Sequence, residues 1–178
     1  MKSLKILLLG IFLIAASNTG KAQGFGVRAG ANFTDINVDG LNTDAKTGLY
    51  VGVFKEIPLV KSLLFVQPEI QYSQEGFDHD VKNVKIDYLT FPILAKVYAL
   101  KLLSFETGPQ FGIPISDNAE GYYNYNTESF VTSWAFGMSI NLPLHLSINA
   151  RYITGISDTF DSFDSKGQVV QAGAAFRF

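Results

Sequence analysis

Beyond the first two dozen residues, the chain alternates apolar and polar positions with a period of two. Stretches with apolar residues at i, i+3, i+4 and i+7 over three turns do not occur, so no helix is predicted there. Phe25, Val27, Ala29, Ala31 and Phe33 alternate with Gly24, Gly26, Arg28, Gly30 and Asn32. The same rhythm returns over residues 49–56, 64–73, 88–97, 103–112, 132–141, 146–153 and 169–178. These make eight candidate strands, an even number, each near the 9–11 residues that a tilted membrane-crossing strand needs. Short links at Ile57–Lys61, Ala99–Lys101 and Leu142–His145 alternate with longer ones at Thr34–Thr47, Gln74–Lys85, Pro114–Ser129 and Gly155–Gly167. Short turns at one rim and long loops at the other are the layout of an outer-membrane barrel with both termini on the periplasmic side.

Solvation then assigns the two faces. An open sheet edge in hydrocarbon would leave N–H and C=O groups without partners, so eight membrane strands must close. The expected fold is all-β: a closed eight-stranded antiparallel transmembrane β-barrel. The uncharged, aromatic-rich set on each strand is expected to face lipid. The alternate set carries Arg28, Glu56, Glu69, Lys96, Glu106, Arg151 and Arg177 and is expected inside. A secreted soluble barrel would invert this arrangement, with apolar residues within and charges in water. The membrane reading is favoured by the aromatic outward set and by Val170, Ala172, Ala174, Phe176 and Phe178, which run in phase to the last residue. Phe176 and Phe178 resemble the C-terminal signal by which barrels are recognised for assembly. Pro68, Pro92 and Pro109 fall inside strands, where each removes a ladder donor, so bulges or non-bonded positions are expected around them. Lys55 lies on the lipid face near the inner end, where it can snorkel into the headgroups.

The N-terminus changes the arithmetic. Met1–Lys5 holds two lysines, Ile6–Ala16 is apolar or small, and Gly20-Lys21-Ala22 is a small-x-small site. This is the pattern of a secretory signal peptide, and its apolar run is too short to span a bilayer as a helix. Cleavage after Ala22 makes residues 1–22 the signal peptide and 23–178 the barrel. The 178-residue chain has a formal charge of −2, which becomes −5 once Lys2, Lys5 and Lys21 are gone. Neither value gives an electrostatic footprint for nucleic acid. The absence of cysteine removes disulfides, thiolate nucleophiles and cysteine-ligated metals.

Several stretches resemble the outer-membrane β-barrel domain family of Bacteroidetes-type bacteria, the PorT-like proteins. They are Gly26-Val27-Arg28-Ala29-Gly30-Ala31-Asn32-Phe33, Gly52-Val53-Phe54-Lys55-Glu56-Ile57-Pro58-Leu59 and Gln67-Pro68-Glu69-Ile70-Gln71-Tyr72 with its continuation to Gly76. Tyr88 to Lys96, Gly108-Pro109-Gln110-Phe111-Gly112, Ala150-Arg151-Tyr152 and Phe176-Arg177-Phe178 complete the set. The resemblance implies an eight-stranded barrel of the OmpX/OmpA type in a Gram-negative outer membrane, with the strand prolines as family features. The founding member's association with assembling a secretion system implies an envelope role of that kind.

An eight-stranded barrel is filled by its own side chains. Four inward bases against three inward acids therefore predict a salt-bridged interior, with a small ion-conducting pore as the alternative. Each long loop carries three acids: Asp35, Asp39 and Asp44; Glu75, Asp78 and Asp80; Asp117, Glu120 and Glu128; Asp158, Asp161 and Asp164. They read as a solvated rim or, more sharply, as oxygen ligands bridging divalent cations to lipopolysaccharide. Tyr122, Tyr123 and Tyr125 form either an adhesive patch or part of an aromatic girdle. A rim hydrolase would need His79 as base, near Ser73 or Ser129, but a base on a loop tip is poorly held. His145 is expected in a tight inner turn, facing solvent. No catalytic, cofactor-binding or metal-binding residue is assigned. Expected partners are outer-membrane lipid and lipopolysaccharide, the barrel-assembly machinery and an envelope protein, with the barrel itself a monomer.

Overall fold

The structure is a computed structural model that describes residues 24–38, 44–79, 82–100, 102–117, 130–156 and 165–178. The expected signal peptide and the cleavage site after Ala22 lie outside these residues. The described strands are β1 (Phe25–Val38), β2 (Asp44–Lys55), β3 (Ile57–Val60), β4 (Leu64–His79), β5 (Lys82–Leu100), β6 (Leu103–Asp117), β7 (Val131–Asn141), β8 (Leu146–Gly155) and β9 (Ser165–Arg177). They form one sheet in the order β2-β1-β9-β8-β7-β6-β5-β4-β3, with β2 also paired to β4, so the ring closes. Since β3 continues β2 beyond Glu56, the nine strands make eight staves, all joined antiparallel. At the junction Glu56 N donates to Gly24 O at 2.6 Å.

Facing follows the alternation on every stave. Phe33, Leu49, Ile70, Ile93, Phe105, Phe136, Ile148 and Val170 are exposed on the outside. Gln67, Gln71, Gln171, Asn32, Asn149 and Arg151 are almost wholly buried inside. Water would not favour an apolar exterior around an amide-rich interior, whereas hydrocarbon does. This inverted distribution excludes the soluble alternative. Lys55 is exposed, with Nζ 4.7 Å from the centroid of the Phe25 ring.

The prolines interrupt pairing without shifting register. Pairing between β4 and β5 runs to Pro68↔Ile93 and resumes at Gln71↔Thr90. Between β5 and β6 it runs to Pro92↔Gln110 and resumes at Ala95↔Thr107. These are non-bonded positions rather than bulges, because a missing N–H removes a rung without adding a residue. The register shifts between β5 and β6 lie elsewhere, at Asp87/Tyr88 and Tyr98/Leu100.

Loop lengths differ from the expectation. The β1–β2 ladder ends at Thr34↔Lys46, but β1 runs on to Val38 against β9, β2 pairs from Asp44 against β4, and the β4–β5 ladder reaches His79↔Lys82. Strand β6 continues to Asp117, and β9 begins at Ser165. Polar sequence past the apolar band leaves the membrane but still pairs, because cross-strand hydrogen bonds survive in water. His79 is therefore a strand residue, not a loop tip. At the inner rim, residues 57–60 are strand and the turn is Lys61–Leu63. Leu142–His145 is a turn, with His145 exposed as expected.

Candidate functional site: the ion-paired lumen

The lumen fills in two charged layers. In the central layer, β1, β4, β6 and β8 each point one charged side chain to the axis. Arg28 Nη1 donates to Glu69 Oε1 at 2.6 Å, and Arg28 Nη2 lies 3.4 Å from Glu106 Oε1. Arg151 Nη2 donates to Glu69 Oε1 at 2.9 Å and to Glu106 Oε1 at 2.6 Å. Arg151 Nε reaches Glu106 Oε1 at 2.9 Å, and Nη1 reaches Glu69 Oε2 at 3.2 Å. Two guanidinium groups thus share two carboxylates, and all four side chains are at most 3% exposed. Burying four charges costs much desolvation energy, which is offset only when charges balance and hydrogen bonds are made. Gln67 Nε2 supplies one such bond to Glu69 Oε1 at 2.5 Å, and Gln71 Nε2 donates to Glu69 Oε2.

The second layer lies at the inner end. Lys96 Nζ donates to Glu56 Oε1 at 2.8 Å, and Arg177 Nη1 to Glu56 Oε2 at 2.6 Å. The Tyr98 hydroxyl lies 2.9 Å from Glu56 Oε1 and accepts from Arg177 Nη1 at 2.9 Å. The seven inward charges named from the sequence therefore fall into a balanced quartet and a triad of two bases with one acid.

Large lumen side chains fit because glycines face them. A Cβ on Gly26 would come within 2.2 Å of the Phe54 ring, and one on Gly137 within 2.6 Å of Glu106 Cγ. Gly30 and Gly173 leave room for Tyr50, whose hydroxyl crosses to Asn149 Oδ1 at 2.9 Å. Such alternation of small and large residues fills a narrow barrel. The roles of Tyr50 and Tyr98 were missed by attention to charge alone. Both share the parity of the inward set, which was the available signal.

Of the candidate hydrolytic residues only the Ser73 side chain lies among the described residues. Ser73 is buried in the lumen, accepting from Asn32 Nδ2 at 2.8 Å and donating to Glu75 Oε1 at 2.9 Å. Its neighbours there are an amide and a carboxylate. Ser129 lies outside the described residues, as do Tyr122, Tyr123, Tyr125 and the loop acids Asp39, Asp80, Glu120, Glu128, Asp158, Asp161 and Asp164. Among the described residues no group of three or more metal-ligating side chains converges. Phe176 is on the lipid face, its ring edge-to-face with Phe178 at 5.3 Å, and Phe178 N donates to Phe25 O at 2.7 Å.

Residues 16–161 match the family described as outer membrane protein beta-barrel domain. The chain belongs to this family. Its setting is accordingly the outer membrane of a Gram-negative bacterium. No curated protein sequence matches this family member. Its fold is similar to that of Ail, the attachment invasion locus protein of Yersinia pestis, at 18% identity and TM-score 0.57, over 88% of this chain and 99% of that one. It is also similar to Neisserial surface protein A, at 11% identity and TM-score 0.65, over 88% and 98%. The outer membrane enzyme PagL is a third similar structure, at 11% identity and TM-score 0.53, over 86% and 99%. At these identities the likeness is one of fold. One barrel architecture thus carries different activities, and the side chains of this chain must distinguish them.

Proposed function

We propose that this outer-membrane barrel neither conducts nor catalyses, and that it works through its outer rim as an adhesive or secretion-assembly platform. The observation that carries the reading is the Arg28–Glu69–Glu106–Arg151 quartet, at most 3% exposed at mid-lumen. A filled centre leaves the rim as the surface on which a barrel of this size can act. The ladder continuing to His79↔Lys82 supports it by giving the rim rigid strand ends for presenting acid-bearing loops. The PorT-like stretches favour an envelope-assembly partner, and the Ail-like fold accommodates an adhesive role equally well. The lipid-facing band gives the barrel membrane lipid as its first partner, lipopolysaccharide lies against the outer rim, and Phe176 and Phe178 serve recognition by the assembly machinery. The barrel acts as a monomer.

The test has two arms. Reconstituted barrel in planar bilayers is expected to give no steady conductance, and a stable open level would overturn the filled-lumen reading. A photo-crosslinking residue at Phe130 or Ile156, both exposed at the outer rim, is expected to capture an envelope or external protein in cells. Capture of lipopolysaccharide alone would overturn the platform reading.

A further inference from the structure

The inner rim holds a feature that the filled lumen does not use. A cavity of about 130 Å³ opens there, with Glu56, Lys96, Tyr98, His145, Ser147 and Arg177 in its lining. Its charge is unbalanced, because Lys96 and Arg177 share the single carboxylate of Glu56. The central layer does not balance it, since Glu69 and Glu106 are engaged by Arg28 and Arg151. The Arg177 side chain is 37% exposed, against 7% for Lys96 and 3% for Glu56. Only its Nη1 bonds within the barrel, to Glu56 and Tyr98, leaving Nε and Nη2 without partners among the described residues.

The cavity wall is also held at a backbone cost. Leu144 and His145 both have positive φ, 63° and 61°. Leu142 N donates to Leu146 O at 2.8 Å, so the loop has three residues, and a leucine in the left-handed region is uncommon. His145 O nevertheless accepts from Arg177 N at 3.0 Å, which ties the turn to β9 beside the cavity. Strain kept in place by surrounding structure is a pointer to a functional position.

We propose that the periplasmic mouth of the barrel is a binding site for one oxyanionic group, a carboxylate or phosphate carried by a periplasmic molecule. The free edge of Arg177 is the primary contact. A guanidinium edge presents paired donors that match two oxygens of such a group. Lys96 adds positive charge from behind, and the Ser147 hydroxyl offers a neutral donor. The cavity, about 130 Å³ and open at its mouth, has room for an oxyanion head. The rest of the ligand must lie in the periplasm.

The experiment titrates the mature barrel, refolded in detergent micelles with its arginines isotopically labelled, with sodium phosphate and separately with sodium acetate. Sodium chloride at matched ionic strength is the control. The expected result is a saturable displacement of the Arg177 Nε–Hε resonance, with that of Arg151 unmoved. Response to phosphate alone identifies a phosphate carrier, to acetate alone a carboxylate carrier, and to both a general oxyanion site. Equal movement in chloride, parallel movement of Arg151, or no saturation overturns the proposal. Ser147→Asp places a carboxylate in the cavity while leaving Glu56, Lys96 and Arg177 in the chain, and is expected to weaken binding at least about tenfold. Arg177→Gln is expected to abolish it. Heat-modifiable migration of both variants on gels reports that they are folded. Unchanged affinity in folded Ser147→Asp overturns the site even if Arg177→Gln fails to fold.

Discussion

Replacing Arg151 by methionine probes the centre of the barrel most directly. Arg151 donates to both Glu69 and Glu106, with contacts of 2.6–3.2 Å, and its removal leaves two buried carboxylates facing Arg28 alone. Leaving a buried charge without its partner costs about 3–5 kcal/mol. Glu106→Gln by itself errs in the opposite direction, leaving two guanidinium groups on one carboxylate, at a cost of similar order. The double variant restores balance, because the Arg28–Glu69 pair at 2.6 Å survives alone. Its loss is therefore expected to fall short of the sum of the single losses by at least about 1.5 kcal/mol. Gln suits this cycle because the side chain at 106 packs against Gly137, where no extra volume is available. Equilibrium urea unfolding in lipid vesicles measures the three losses. The single tryptophan, Trp134, stands on the lipid face and reports unfolding through its fluorescence. Losses that add to within about 0.5 kcal/mol would refute the shared-charge argument.

Four further outcomes are expected. Gly30→Ala puts a Cβ 2.2 Å from Ala172 O and 2.6 Å from Gly173 Cα, backbone that cannot yield, so the folded fraction on heat-modifiability gels should collapse. Gly112→Ala meets its nearest atom at 3.6 Å and should stay within about 0.5 kcal/mol of the parent. Tyr50→Phe removes the 2.9 Å bond to Asn149 and should cost about 1 kcal/mol in the urea assay. Phe178→Ala should lower the amount of barrel assembled in cells while purified protein refolds in vesicles as before, which separates recognition from stability.

The sequence by itself determined the closed barrel and which face of each stave meets lipid. It could do so because a strand turns successive side chains to opposite faces, and because lipid tolerates neither an open edge nor a charged exterior. Interrupted pairing at Pro68, Pro92 and Pro109 was also foreseeable from a missing donor, but the choice between bulges and in-register gaps was not. Loop lengths were not, because polar residues beyond the membrane look the same whether paired or not, and β4 consequently carries His79 on its last rung. Nor could alternation say which charges meet. Arg28 and Glu69 are 41 residues apart, and Arg151 and Glu69 are 82 apart. Their meeting depends on the stagger between staves, which sets the height of each side chain along the axis. That stagger set Arg28, Glu69, Glu106 and Arg151 as a neutral quartet and Glu56, Lys96 and Arg177 as a triad with one base in excess, with Arg177 partly exposed at the inner mouth.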